Sequence, residues 1–547
     1  MTKTQKTHSI SKVVLDLYFV ICIIILMTGG AHIIPKSLEV YFSGHPKYHR
    51  LILSSVTLGL LAVCSYFHFH GLLAKRSNLF AYFTKLRFRA STYVWMLFLV
   101  LSTVFVYSSI CRHLVFNSSF DFAIFAQAVW NTWKGNLLYS SIKGGICLLG
   151  DHFSPILILL APLYGIWTDP QVLLLLQGIA AASSVFPLFL IAQKILKDNG
   201  LALLFTISFA LYLPLRNAVR FDFHPELLGD SFILWAFYFV LTKRLKAASI
   251  CLLVVLSTKE TACAPIAMFG LFCFQFLKLR KFGMIWFFGS IMYFVVAIKL
   301  LIPYFYGQEY FYLRGNYLAW KELGFVAFCA HIFQPSTFTY LKKIFLPVGF
   351  LSFLSPSTFL LTCPILFQNL TTRNLMARSI FFQYTAFLTP FVFISTIYGF
   401  RNGLNWMAKF NLSFLKRPKL LLSYWLLGTS LLLGGVSEYY VIVRCKAQDN
   451  SHFAYLRSYF KTVPASVSVR THEFFAPHLV KRKELYIYEN THPKEGGSEK
   501  AQNADLVIID QKILGNDYQR HLTGLRNKNY TLQYEHEGLF VFEHKKI

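Results

Sequence analysis

An aspartate, Asp121, stands at the head of the aromatic run FDFAIFAQAVW (residues 120–130), directly after an apolar block long enough to cross a membrane. A carboxylate held at a membrane surface can take a proton from a hydroxyl, which is the work of a general base. The architectural alternative is a helix start, because Asp121 follows Ser118-Ser119 and a carboxylate in a first turn meets unpaired amides and the positive end of the dipole. Phe122, Phe125, Val129 and Trp130 along the run, with Trp133 just after it, would anchor such a helix in the interface. A second cluster, Phe221-Asp222-Phe223-His224-Pro225-Glu226, brings two carboxylates and an imidazole together. Donors this close suit a divalent cation, and equally the hydroxyls of a substrate. The competing reading is a turn in which Pro225 opens the next helix and Glu226 caps its start.

Lys259-Glu260 interrupts the apolar run CLLVVLST…TACAPIAMF, where a charged pair needs partners or a wet cavity. A structural ion pair and a substrate contact both meet that need. Asp151-His152 lies in the loop after the third apolar block; a single interfacial histidine is also an ordinary surface residue. Arg216, Arg220 and Arg314 follow other apolar blocks, and guanidinium groups there could clamp a phosphate or simply sit at the interface. The chain has no P-loop, no GxGxxG after a strand, no GxSxG and no HExxH, so a cytoplasmic nucleotide donor is not expected.

The elements that must position these groups are membrane helices. Of 547 residues, 55% are hydrophobic and 14% charged, and the apolar ones fall into blocks of about twenty, enough to cross ~30 Å of hydrocarbon. The formal net charge of +28 collects in short loops, as in Lys75-Arg76, Lys243-Arg244-Lys246 and Lys278-Arg280-Lys281. That distribution follows the positive-inside pattern and argues against nucleic acid as a partner. Spans at 13–34, 51–72, 93–111, 171–192 and 201–215, with later ones near 322–334, 344–366, 383–400 and 420–437, belong to a set of roughly thirteen. Residues 152–167, apolar but broken by two prolines, read as an interfacial or re-entrant helix. With the amino terminus cytoplasmic, every polar motif above falls on the opposite face.

Beyond Glu438 the charges become dense and balanced, and β-like runs appear at 466–469, 485–488 and 506–509. The expected organisation is therefore a pair of helices and a basic loop over 1–92, a transmembrane domain over 93–437 with its first outer loop at 112–170, and a small extracytoplasmic α/β domain over 438–547. Residues 492–504 read as a loop. The ten cysteines have no CxxC spacing; Cys111 and Cys147 bracket the first outer loop and could pair, with free thiols the favoured reading.

FDFAIFAQAVWNTWKG, GDHFSPILILLAPLYGIW, FDFHPE and STKE, with LSFLSPSTFLLTCPILFQNL and FFQYTAFLTPF downstream, resemble in order and spacing the DUF2079 family of membrane proteins over roughly residues 95–400. That family looks like a branch of the GT-C glycosyltransferases, which take sugars from polyprenyl phosphates. The resemblance implies an all-α polytopic membrane bundle of GT-C type with a small C-terminal α/β domain in a bacterial inner membrane. It also implies an inverting transfer from a polyprenyl-phosphate sugar to an extracytoplasmic acceptor, among membrane lipids. Asp121 matches the essential acid of the first outer loop. Gln127, Arg220, Lys259, Glu260, Arg314 and Tyr384 become candidates for binding substrate, and Asp222, His224, Glu226 and His152 for holding a divalent cation, Mg or Mn. Related sequences carry a second acid where this chain has Ala126, so any metal must draw on those other loops. A lipid-linked glycan flippase and a non-catalytic envelope assembly protein are the alternatives.

Overall fold

The computed structural model describes residues 90–310, 312, 317, 320–410, 417–434, 437–488, 499–514, 525 and 530–545. The expected spans at 13–34 and 51–72, and Arg314, lie outside the described residues. The span expected at 93–111 is helix α1 (Ala90–Leu114), followed by α2 (Phe120–Trp133). Helices α3 (Gln171–Ser183) and α4 (Val185–Leu196) run on as one apolar stretch, 171–196. Next come α5 (Asn199–Ala210) and α6 (Leu213–Phe221), joined with a 45° bend. Asp198 starts α5 by accepting a hydrogen bond from the Leu201 amide, and Pro214 sits in the first turn of α6.

Helices α7 (Pro225–Leu241), α8 (Leu245–Leu256), α9 (Cys263–Gln275) and α10 (Arg280–Val296) pack as successive antiparallel neighbours. The region closes with α11 (Leu388–Lys409), α12 (Pro418–Gly434) and α13 (Ser437–Gln448). One large apolar core draws on α1 and on helices from α3 to α12, leaving out α2.

Among the described residues, three helices are long and apolar enough to span a membrane, or four with the bent α5–α6 pair. Several others are apolar but only 12 to 17 residues long, so the expected count of roughly thirteen is not reached by length and composition. The stretch 152–167 forms two short apolar helices, Ile156–Leu160 and Leu163–Ile166, as the prolines led one to expect. The expected span at 344–366 is corrected: it breaks into short turns from Leu346 to Thr362 and a helix at Cys363–Thr371. Pro347, Pro356 and Pro364 each remove an amide donor, and Gly349 and Phe350 turn left-handed, which a continuous helix does not tolerate.

A two-residue hairpin, β1 (Tyr139–Ser140) with β2 (Ile146–Cys147), follows α2. The C-terminal part, after α14 (Ser451–Thr462), is a five-stranded sheet of β3 (Val469–Thr471), β4 (Leu485–Ile487), β5 (Leu506–Asp510), β6 (Tyr530–His536) and β7 (Leu539–His544) in the order β4-β3-β5-β7-β6. β3 runs parallel to β4 and β5, whereas β7 is antiparallel to β5 and β6. Glu537 and Gly538 form the β6–β7 turn with φ of 50° and 90°, the doubly positive geometry that matches strand twist. Of the three expected β-like runs, 485–488 and 506–509 match β4 and β5, whereas 466–469 meets β3 only at Val469. Leu456, Phe460, Val469 and Ile508 from this part share one core with Phe122, Val129 and Tyr164 around the first loop.

Helix α11 crosses the Leu351–Leu354 turn at Gly399, where an added Cβ would lie 1.8 Å from the Leu351 carbonyl oxygen. A backbone atom cannot move aside as a side chain can. Gly399→Ala is expected to destabilise the protein by about 2 kcal/mol or more. Gly428→Ala, at a helical position with open space around it, should be neutral or gain up to ~1 kcal/mol from helix propensity. Thermal unfolding of both variants in detergent checks this, and equal midpoints would refute the close approach.

Candidate functional site

The polar residues gather where α2, α7 and the α8–α9 break meet. Asp121 lies in the first turn of α2 with its side chain 31% exposed, and its Oδ2 is 3.7 Å from His224 Nε2. The backbone at Asp222 and His224 is extended (φ −157° and −139°), and Pro225 then opens α7. Buried Gln177 fixes this segment: its Nε2 donates to the Val219 and Asp222 carbonyls at 2.9 Å each, and its Oε1 accepts from the His224 amide at 2.7 Å. Asp222 accepts from the Ser119 amide (3.0 Å) and hydroxyl (2.6 Å), while its other oxygen is buried with no hydrogen-bond partner among the described residues.

Glu226, in the first turn of α7, accepts from Lys259 Nζ at 2.5 Å; the side chains are 7% and 16% exposed. Glu260 faces the other way, holding His152 Nδ1 at 2.8 Å, the Phe153 amide at 2.9 Å and the Tyr310 hydroxyl at 2.5 Å. The His152 ring stacks on Tyr312, with centroids 4.6 Å apart, and Tyr312 donates to Asp151, which also pairs with Lys143 at 3.3 Å. Tyr384 stands in the field of Lys259, Asp121 and Glu226, its hydroxyl accepting from Asn374 at 2.9 Å.

Burial disfavours ionisation of Asp121, but His224, by hydrogen bond and charge, and then Lys143 and Lys259 outweigh it and hold the carboxyl below its ordinary range. Burial likewise opposes charge on His224, yet Asp121 and Glu226 lift its pKa above 6.5. For Asp222 burial wins over Arg112 and Ser119, and Asp121 adds repulsion, so its carboxyl is pushed up to about 6.

Asp121, His224, Glu226, Lys259 and Tyr384 thus converge, with His152 and Glu260 forming the adjacent wall. Two candidates sit elsewhere. Gln127 is fully buried and bridges α2 to the C-terminal part, donating to Ser141 Oγ (2.8 Å) and the Lys483 carbonyl (3.0 Å). A side chain so committed is architectural, which corrects its expected substrate contact. Arg220 turns into a separate pocket beside Arg112 and Arg444. Arg216, also fully buried, donates to the Gly434 carbonyl.

The expected metal ligands do not form a set. Asp222 goes to Ser119, Glu226 to Lys259 and His152 to Glu260, and among the described residues no group of three His, Cys, Asp or Glu could hold a metal. The physical reason is the turn: Pro225 changes extended chain to helix, so Asp222, His224 and Glu226 leave the backbone in different directions. Both Cys111 and Cys147 are free. Lys143, Tyr310, Tyr312 and Gln177 were missed by sequence reasoning; only Gln177, a lone amide in LLLLQGIAAA, carried a signal.

The Asp121–His224 pair gives a pH signature. A histidine whose folded pKa is raised contributes its full stabilisation below its ordinary value of 6.5 and loses it as pH rises through the raised value. Asp121→Asn removes the partner, so the variant should unfold earlier than the parent at pH 5.5, by about 1 kcal/mol, and the gap should narrow by pH 9.5. A gap that stays constant between those pH values would refute the pairing.

The fold is similar to that of ArnT from Cupriavidus metallidurans bound to undecaprenyl phosphate, with TM-score 0.51 and 10% identity over 83% of this chain and 98% of that one. The apo ArnT structure from the same organism gives TM-score 0.49 and 11% identity over the same shares. At such identity the likeness is one of fold alone. No curated protein matches the chain. Residues 112–541 match the family described as Predicted membrane protein (DUF2079), and the chain belongs to that family.

Proposed function

We propose that this protein is a membrane glycosyltransferase that moves a sugar from a polyprenyl-phosphate donor to an acceptor hydroxyl on the extracytoplasmic side, with inversion. The observation that carries the reading is the partly exposed Asp121 carboxylate beside a buried His224 and the Glu226–Lys259 pair, in a fold like that of an ArnT solved with undecaprenyl phosphate.

The acceptor oxygen attacks the anomeric carbon and its proton passes to Asp121 Oδ2. The bond from that carbon to the phosphate oxygen breaks, and its electron pair leaves with the lipid phosphate. Lys259 receives the phosphate, which competes with Glu226 for the ammonium, and the Tyr384 hydroxyl lies in the same field. Charge collecting on a leaving group in a water-poor site is where fixed cations contribute most. Asp121 is a weak base because His224 holds its pKa down, so the proton moves late, after the bond to the phosphate has largely broken. No step runs through a metal, since the residues proposed to hold one are bound to other groups. Arg220 takes no part in this step.

Transfer of radiolabelled sugar from polyprenyl phosphate, assayed in native membranes, tests the reading. Asp121→Asn should lower the rate about a hundredfold or more while the protein still inserts and folds. Unchanged transfer in that variant would sink the proposed base.

A further inference from the structure

One built polar arrangement in the cleft has no role in the transfer step above: the Glu260–His152 pair. Glu260 is fully buried in the turn before α9 and accepts from His152 Nδ1 at 2.8 Å, from the Phe153 amide at 2.9 Å and from the Tyr310 hydroxyl. The Ile156 amide donates to the Ser257 carbonyl at 3.0 Å, so residues 152–156 are tied to the α8–α9 break at both ends. An ionised carboxylate only accepts, so Nδ1 turns its proton toward Glu260 and Nε2 is the nitrogen left to face outward. The ring plane is set by Tyr312, stacked on it at 4.6 Å and 15°. Among the described residues Nε2 is neither hydrogen-bonded nor buried, and the side chain is 19% exposed. A carboxylate, an imidazole that it orients and an open second nitrogen are the parts of a proton-transfer group.

The pair stands beside the charges of the Asp121 cleft. Lys259 precedes Glu260 in the chain and acts electrostatically on both Glu260 and Tyr312. Lys143, paired with Asp151 at 3.3 Å, acts on both Asp121 and Tyr312. Around His152, the titratable groups in contact are thus Glu260, which holds it, and Tyr312, stacked on it, with Tyr310 bound to the same carboxylate. Asp151, Lys143 and Lys259 face it from farther off.

We propose that His152 is a second proton-transfer residue of the site, giving the proton on Nε2 to the departing phosphate; this role rests on the glycosyltransferase reading. Breaking the bond from the anomeric carbon turns a phosphodiester monoanion into a monoester dianion, whose second ionisation lies at about pH 6. Imidazoles as a class exchange protons in that range, so a transfer between the two costs little. The N–H bond at Nε2 breaks and its electron pair stays on the ring. An O–H bond forms on the phosphate, while Nδ1–H remains on Glu260 throughout. Lys259 then supplies charge to the leaving group and His152 a proton, and Glu260 is the positioning residue behind it.

Calorimetric titration of the full-length protein in detergent with farnesyl phosphate, at pH 7.5 in two buffers of different ionisation enthalpy, counts protons taken up without any transfer reaction. The parent should take up about one proton per phosphate bound. His152→Asn, whose amide can still donate to Glu260 from the Nδ1 position, should bind the probe and lose that uptake. His152→Gln, with an amide near the Nε2 position, should lose it too. In native membranes both variants should lower kcat for sugar transfer about a hundredfold at unchanged KM and remove the alkaline fall of the parent's pH profile. Uptake absent from the parent or equal in the parent and His152→Asn, or a full rate in that variant, would overturn the proton donor. A parent that takes up the proton yet transfers no sugar would count against the glycosyltransferase reading instead, and no binding of farnesyl phosphate would count against both.

Discussion

Every charge in the cleft has to be matched before it can be used. Lys259 and Glu226 are 16% and 7% exposed, and each alone would be strongly disfavoured in such surroundings; at 2.5 Å each is the other's reason for remaining ionised. The same rule sets His152 and two further donors, the Phe153 amide and the Tyr310 hydroxyl, around Glu260, and His224 against Asp121. The helix breaks follow from this requirement. Lys259 stands in extended backbone (φ −168°) between α8 and the Glu260–Ala262 turn, and His224 is equally extended just before α7. A continuous helix through either point would send these side chains along its own faces instead of toward one another. The chain therefore interrupts its apolar segments where charges must meet.

That interruption is also why part of the site was legible in the sequence. Asp121, the 222–226 cluster and Lys259-Glu260 are polar residues in apolar context, and the structure brings Asp121, His224, Glu226 and Lys259 together. The metal set failed because proximity along the chain was read as convergence in space, whereas Pro225 turns three neighbouring donors toward three different partners. Gln127 failed for a related reason. A glutamine on an aromatic helix looks available, but its partners Ser141 and Lys483 lie 14 and 356 positions away, and no local pattern announces them. Tyr310 and Tyr312 are two of thirty tyrosines, unmarked by any spacing. The helical class and the β runs at 485–488 and 506–509 are readable from periodicity alone; the breakup of 344–366 is signalled by its three prolines, against an apolar composition that favours a span.

The C-terminal part was expected as a separate small domain, and its sheet is present. Its core, however, is continuous with that of the first loop: Leu456, Phe460 and Ile508 pack in one cluster with Phe122, Val129 and Tyr164. The ring of His478 stacks on His113 of α1 at 4.0 Å, and Gln127 and Ser141 hydrogen-bond to the backbone at 482–485. Helix α2, which carries Asp121, is thus packed from both sides. Its first turn has little freedom to shift, as the role proposed for Asp121 requires.

Asp222 ties the cleft to the arginine pocket electrostatically. Its carboxyl, pushed up to about 6 by burial, is pulled down by Arg112 and pushed further up by Asp121. Loss of the Asp222 charge would remove one repulsion on the neighbouring Asp121 carboxylate and one attraction on the His224 imidazolium. Both changes act on the same ion pair, the first making Asp121 easier to ionise and the second making His224 easier to neutralise. Asp222 is thus the buried carboxylate through which the Arg112 and Asp121 surroundings act on each other.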